Sequence, residues 1–323
     1  MKRSFILLSL IATVSMTLPS VASCAPLAGT IVRDTLLGVP CRVYLPALYT
    51  DTTRSDSTVY PVLYLQHGMF GSEDDWTVQG HLERWMNMLL MAQQVKEMVV
   101  IMPDNFLGSI PEDERKALME SPNIKPTGEV INTDNGSAHW QKLTSEQEQA
   151  YEMSGFWEEH FREFMTQAEE RYRISKDPSK RALAGLSMGG FHTMHIAHHL
   201  HGQFAYVGLF SAVIIPHVGD VQVAVEVDSP FHTSGFDYQN EYSSPVYTTW
   251  MADMRRMASA APMYWIGMGR DDFLYAQMQD YRMWLDQNNF EYTYYESKGG
   301  HTWDNWEDYL CRFLKKLFWD EKF

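Results

Sequence analysis

Apolar residues fall along this chain in two alternating patterns. Short runs such as Val62 to Gln66 and Met98 to Met102 are almost continuously apolar, as strands buried on both faces of a sheet are. Longer stretches carry apolar positions three and four apart and predict helices: Leu82 to Val95, Phe156 to Tyr172, Phe191 to Leu200, Tyr275 to Gln287, and Trp303 to about Phe318. Further strands are expected near Thr30 and at Cys41 to Leu45, Arg181 to Ala184, Tyr206 to Phe210, Met263 to Gly267 and Glu291 to Glu296. Strands alternating with helices predict an α/β fold, a mostly parallel central sheet with helices on both faces.

Two stretches break this rhythm. Gly108 to Met153 is polar, with several prolines and glycines, and Ile214 to Ala261 is rich in aromatics and carries a Val221, Val223, Val225, Val227 alternation. Both exceed the usual length of a structureless loop, so they are expected to be cap or pocket insertions, about 108–153 and 214–261, within a single domain over 25–323. No internal repeat or low-complexity tract interrupts it.

Residues Met1 to Cys24 have the layout of a signal peptide, with basic Lys2 and Arg3, a largely apolar run from Ser4 to Leu18, and a break at Pro19 and Ser20. The apolar run is too short and too abruptly ended for a stable membrane span. Its end, Val21-Ala22-Ser23-Cys24, resembles a bacterial lipobox, which implies lipidation of Cys24; ordinary cleavage nearby is the alternative. Export to the periplasm, anchorage at the outer membrane or secretion is the expected localisation, with a lipid on Cys24 as the chain's one link to a membrane.

Charge narrows the partners. The formal net charge is -15, and removing the leader takes away two basic residues and no acidic one, so nucleic acid and other polyanions are poor candidates. Cys41 and Cys311 remain after Cys24. An oxidising compartment would permit them to pair, whereas their apolar settings fit two buried free thiols equally well.

The chemistry concentrates at Gly185-Leu186-Ser187-Met188-Gly189-Gly190, a G-x-S-x-G sequence that follows an apolar strand and opens a helix. In that context it predicts a nucleophile elbow, with the serine hydroxyl raised above the sheet at a helix N-terminus. A serine needs a base within hydrogen-bonding reach. His301, in the Gly299-Gly300-His301 loop between the last strand and the terminal helix, is the candidate among the twelve histidines because it lies at the same sheet edge. The acid is expected between nucleophile and histidine, where Asp271 and Asp272 both qualify, and either could instead cap the next helix. His67-Gly68-Met69 ends an earlier strand, so the backbone amides of Met69 and Met188 are the candidate oxyanion hole. The chemistry needs no metal or organic cofactor. His192, His195 and His199 share one helix face, but no nearby carboxylate or cysteine completes a zinc site, and satisfied or solvent-facing histidines are expected. Trp76 and Trp250, with Phe231, Phe236, Tyr238 and Tyr242, are candidates for an aromatic wall against a sugar or phenolic acyl group. Trp303, Trp306, Leu310, Phe313, Leu314 and Leu317 read as core.

The segments Tyr60 to Gly68, Gly71-Ser72-Glu73-Asp74-Asp75-Trp76, Ala184 to Gly190 and Gly300-His301-Thr302-Trp303 together resemble the esterase D-like family of α/β-hydrolases, from about Val43 onward. That family includes the feruloyl and acetyl xylan esterases of carbohydrate esterase family one, formylglutathione hydrolases, siderophore esterases and mycolyltransferases. The resemblance implies the α/β-hydrolase fold and a Ser-His-Asp triad. It places the acid three positions after a strand-ending glycine, at Asp272. Together with the leader, which implies export, it implies a serine esterase acting on acyl esters of plant cell-wall polysaccharide or oligosaccharide. Siderophore or other small esters and acyl transfer are the alternatives. Gln66 departs from the pattern, standing where an apolar residue is usual.

Overall fold

The computed structural model describes residues 28–49, 58–69, 71–105, 157, 160–214, 252, 254–260 and 262–319. Eight strands among them form one sheet: β1 (Thr30–Leu36), β2 (Val39–Leu45), β3 (Val62–Gln66), β4 (Val99–Pro103), β5 (Arg181–Leu186), β6 (Tyr206–Phe210), β7 (Met263–Gly269) and β8 (Thr293–Ser297), in the order β1-β2-β4-β3-β5-β6-β7-β8. β1 and β2 form an antiparallel hairpin, β2 runs antiparallel to β4, and every other pairing is parallel.

Side chains leave the strands in strict alternation, and each set has its own helices. Val62, Tyr64, Ile101, Leu183, Leu209 and Ile266 face a core shared with α3 (160–171), α4 (Met188–His199) and α6 (Tyr275–Gln287). Met254 and Met257, from the short helix α5 (254–259), join it. Leu63, Leu65, Val100, Ala184 and Trp265 face the opposite core, filled by Trp76 of α1 (Asp75–Val78), Leu82, Met86 and Leu89 of α2 (Leu82–Met91), and Tyr309, Leu310 and Phe313 of α7 (Trp303–Leu314). The burial of both faces explains why the central strands read as unbroken apolar runs. The mostly parallel sheet covered on both sides agrees with the expected fold class.

Helix α2 stops four residues before the expected end. Gln93 adopts a left-handed conformation (φ 56°), and the amides of Gln93 and Gln94 bond back to the carbonyls of Leu90 and Leu89. This is a Schellman cap with glutamine where glycine is usual, so no glycine marked the stop. Cys41 and Cys311 are both free. Cys41 packs in the first core and Cys311 against the second, on opposite faces of the sheet. The leader with Cys24, all of the proposed insertion 108–153, most of the proposed insertion 214–261, and with it Trp250, Phe231, Phe236, Tyr238 and Tyr242, lie outside the described residues.

In-register pairing aligns the strand ends that matter for chemistry. Gln66 pairs with Gly185, Leu186 with Phe210, Phe210 with Gly267, and Gly269 with Ser297. The segments following β3, β5, β7 and β8 therefore leave the sheet at one edge.

Candidate active site

Ser187 sits between the end of β5 and the first residue of α4, with φ 54° and ψ -118°, a backbone conformation that costs a non-glycine residue about 1–3 kcal/mol. Neighbouring bonds hold it there. Its N–H donates to the Phe210 carbonyl at 2.9 Å, and its own carbonyl accepts from Phe191 and Val213 at 3.1 Å. Space is as tight as conformation. A Cβ on Gly189 would run into the His67 carbonyl oxygen, and one on Gly185 would press on the Gly189 backbone, so only glycine lets the elbow nest against the end of β3.

The structure brings Ser187, His301 and Asp272 into one hydrogen-bonded line. His301 Nε2 lies 2.9 Å from Ser187 Oγ, and His301 Nδ1 lies 2.9 Å and 3.1 Å from the two oxygens of Asp272. Asp272 is buried and its Oδ1 also accepts the Leu274 N–H at 2.9 Å. Because a carboxylate only accepts, Nδ1 carries the hydrogen and Nε2 presents its lone pair to the serine. Of the two acids left open by chemistry alone, Asp272 makes this contact. The Asp271 side chain is exposed and its N–H bonds to the Gly299 carbonyl.

The loop carrying His301 is tied down at several points. Asn305 Nδ2 donates to the Gly300 carbonyl at 2.6 Å, and Ser297 Oγ donates to Asn305 Oδ1. Two rings flank the imidazole: Phe273 at 4.6 Å between centroids, and Trp306 at 4.8 Å and nearly perpendicular. Trp306 was expected only as core. It is buried, but its ring also borders His301, a contact that helical spacing does not reveal. Phe273 carried no signal beyond its place one residue after the acid.

The segment His67-Gly68-Met69 lies beside the serine, since a Cβ on Gly68 would fall 3.4 Å from Ser187 Cβ. Met188 occupies the first position of α4, where a helix leaves its N–H unpaired within the helix. His67 is buried and bracketed by Asn105. The Asn105 N–H donates to His67 Nε2, Asn105 Oδ1 accepts the His67 N–H, and Asn105 Nδ2 donates to the His67 carbonyl. Nε2 is thus an acceptor, so Nδ1 holds the hydrogen and donates to the Gly68 carbonyl at 2.7 Å. Asn105 was missed because β4 appeared to end at Met102, and nothing in its spacing joins it to His67.

Trp76 does not line a pocket. It is 1% exposed, edge-on to Phe210 and Trp303, with its Nε1–H bonded to the Gln66 carbonyl at 2.9 Å. A ring this enclosed has no face to offer a substrate. His192 and His195 are buried in α4 and His199 is exposed. His195 and His199 therefore do not share one environment, and no cluster of three metal-ligating side chains occurs among the described residues.

Comparison with known proteins bears on the fold and the family. The chain is 28% identical over 169 residues to an endo-1,4-beta-xylanase/feruloyl esterase of Xylanibacter ruminicola, a match covering 52% of this chain and 19% of that protein. It is 24% identical over 178 residues to an acetyl esterase of Caldicellulosiruptor saccharolyticus, covering 48% of this chain and 62% of the other. Each match spans less than two thirds of the relative. A ferulic acid esterase of Anaeromyces mucronatus, solved with ferulic acid, superposes with a TM-score of 0.59 at 20% identity over 90% of this chain and 91% of that one, and so shares the α/β-hydrolase fold. The profile of the Esterase family matches residues 38–317, and the chain belongs to that family.

Proposed function

We propose that this protein is an exported serine esterase that cleaves acyl esters of plant cell-wall polysaccharide or its oligosaccharides, releasing ferulate, a related hydroxycinnamate or acetate. The observation that carries the catalytic part is the line from Ser187 Oγ through His301 to Asp272, with both hydrogen bonds at 2.9 Å. The two curated relatives, one a feruloyl esterase and one an acetyl esterase, favour the substrate class. The leader-like residues 1–24 favour export.

In this reading Ser187 Oγ attacks the ester carbonyl while His301 Nε2 takes its proton. Asp272 holds the ring in the tautomer that can do so and offsets the positive charge it acquires. The amides of Met69 and Met188 receive the negative charge developing on the carbonyl oxygen, a contribution of about 3 kcal/mol for each donor. The imidazolium then protonates the departing sugar oxygen, leaving the acyl group on Ser187. A water deprotonated by His301 releases it by the reverse sequence.

The test is hydrolysis of methyl ferulate, acetylated xylan and short-chain aryl esters by wild type and Ser187→Ala. Cleavage of the first two by wild type alone is expected, and the faster of them names the acyl group. Cleavage of aryl esters alone would move the substrate to siderophore or other small esters, and acyl transfer to an added sugar acceptor in preference to water would make the protein a transferase. For the anchor, labelled fatty acid is expected to enter the protein in cells and to be lost in Cys24→Ala. Unchanged incorporation would remove the lipoprotein reading.

A further inference from the structure

Gln66 is the last residue of β3, and its side chain points toward the core where Val62 and Tyr64 of the same strand are purely packed. It is completely buried. A buried amide is costly unless its hydrogen bonds are used, so a glutamine at a position suited to leucine calls for a reason. The Trp157 indole supplies one through the side-chain oxygen, whereas Gln66 Nε2 makes no hydrogen bond among the described residues and the Trp76 indole binds the backbone carbonyl, which any residue at this position would offer. The Nε1–H of Trp157 donates to Gln66 Oε1 at 3.1 Å, and the Nε1–H of Trp76 donates to the Gln66 backbone carbonyl at 2.9 Å.

These two rings belong to opposite faces of the sheet. Trp157 sits in the first core, edge-on to Phe161 and Phe164 at 5.2 and 5.1 Å. Trp76 sits in the second, edge-on to Phe210 and to Trp303, which meets Trp306 at 5.1 Å, the ring that borders His301. Phe210 also supplies the carbonyl that accepts the Ser187 N–H. One residue thus joins both cores directly before His67-Gly68-Met69, and its backbone abuts Gly189 of the elbow helix.

We propose that Gln66 is a positioning residue. Clamped by Trp157 and Trp76, it fixes the turn after β3 so that the Met69 amide stands at the right distance from Ser187. Its catalytic consequence rests on the ester-hydrolase reading given above, but the clamp itself does not.

Gln66→Leu removes the side-chain acceptor at similar volume, and Trp157→Phe removes the indole donor while keeping an aromatic ring. Two readouts apply to both variants and to the double variant. Amide hydrogen exchange over residues 64–69, followed by mass spectrometry, reads the clamp without any substrate, and exchange about tenfold faster at these amides is expected in each variant. For p-nitrophenyl acetate, kcat is expected to fall about tenfold with KM within about twofold, because a donor is misplaced rather than deleted. The double variant should be no worse than either single one, since both break the same bond. Unchanged exchange in folded variants would overturn the proposal, as would kcat within about twofold of wild type or losses that multiply in the double variant. If Gln66→Leu fails to fold, Trp157→Phe decides alone. A wild type without esterase activity would remove the function proposed above, and the exchange result would still decide the clamp.

Discussion

The acid of the triad can be tested by exchanging one atom. In Asp272→Asn the side chain keeps its size, but one oxygen becomes an NH2 group. The Leu274 N–H, 2.9 Å from Asp272 Oδ1, requires an acceptor and so holds the remaining oxygen. The NH2 group then faces His301 Nδ1, where the carboxylate oxygen stands at 2.9 Å. It can only donate, so Nδ1 must become the acceptor and the ring hydrogen moves to Nε2. Nε2–H now points at Ser187 Oγ and cannot take the serine proton. A loss of this kind in a Ser-His-Asp enzyme is about 10⁴-fold in kcat, equivalent to about 5.4 kcal/mol of transition-state stabilisation. Asp271→Asn changes an exposed group one residue away and should stay within about twofold. Steady-state kinetics on an aryl ester, with thermal unfolding measured on both variants, is the assay. A kcat for folded Asp272→Asn within tenfold of wild type would refute the reasoning, and so would a large loss in Asp271→Asn alone.

Three further outcomes follow from the same structure. Trp76→Ala should destabilise the protein by about 3–5 kcal/mol in denaturant titration, as expected for a buried core indole; a change below 1 kcal/mol would show that the ring is not enclosed. Ser187→Gly, free of the strain at φ 54°, should be more stable than Ser187→Ala by about 1–2 kcal/mol while both are inactive, and equal unfolding midpoints would remove the strain argument. Burial pushes the Cys311 thiol up to about 12 and the Cys41 thiol higher still. The thiolate fraction of Cys311 at pH 8 is then on the order of 10⁻⁴, and even with the greater nucleophilicity of a high-pKa thiolate, alkylation should run about 10²-fold slower than for a free cysteine. It should quicken about tenfold per pH unit up to that pKa, and a rate already level at pH 8 would contradict the burial.

The sheet was legible because burial on both faces leaves a signal of its own. β4 is an unbroken apolar run and β3 is one up to its last residue, Gln66, and the order of strands and helices follows from such runs. Ser187 was legible because a sharp strand-to-helix turn demands glycines at fixed offsets. The choice between Asp271 and Asp272 was not, since adjacent carboxylates are chemically equal until a fold turns one inward; only family resemblance selected Asp272. Contacts between segments distant in sequence were hidden for a related reason. Asn105 bonds His67 across 38 residues and Trp157 bonds Gln66 across 91, and neither pairing leaves a periodic trace. Trp76 misled in the other direction, because an aromatic residue after a glycine-rich loop has the same letters whether it lines a pocket or fills a core.

The central claim is that an acyl group passes through Ser187. The most direct measurement is acid quenching of the enzyme during turnover of methyl ferulate, followed by mass spectrometry of its peptides. A feruloyl group on the peptide containing Ser187, absent from Ser187→Ala, is the predicted result. Turnover that continues in Ser187→Ala, or an acyl group carried on another residue, would contradict the account.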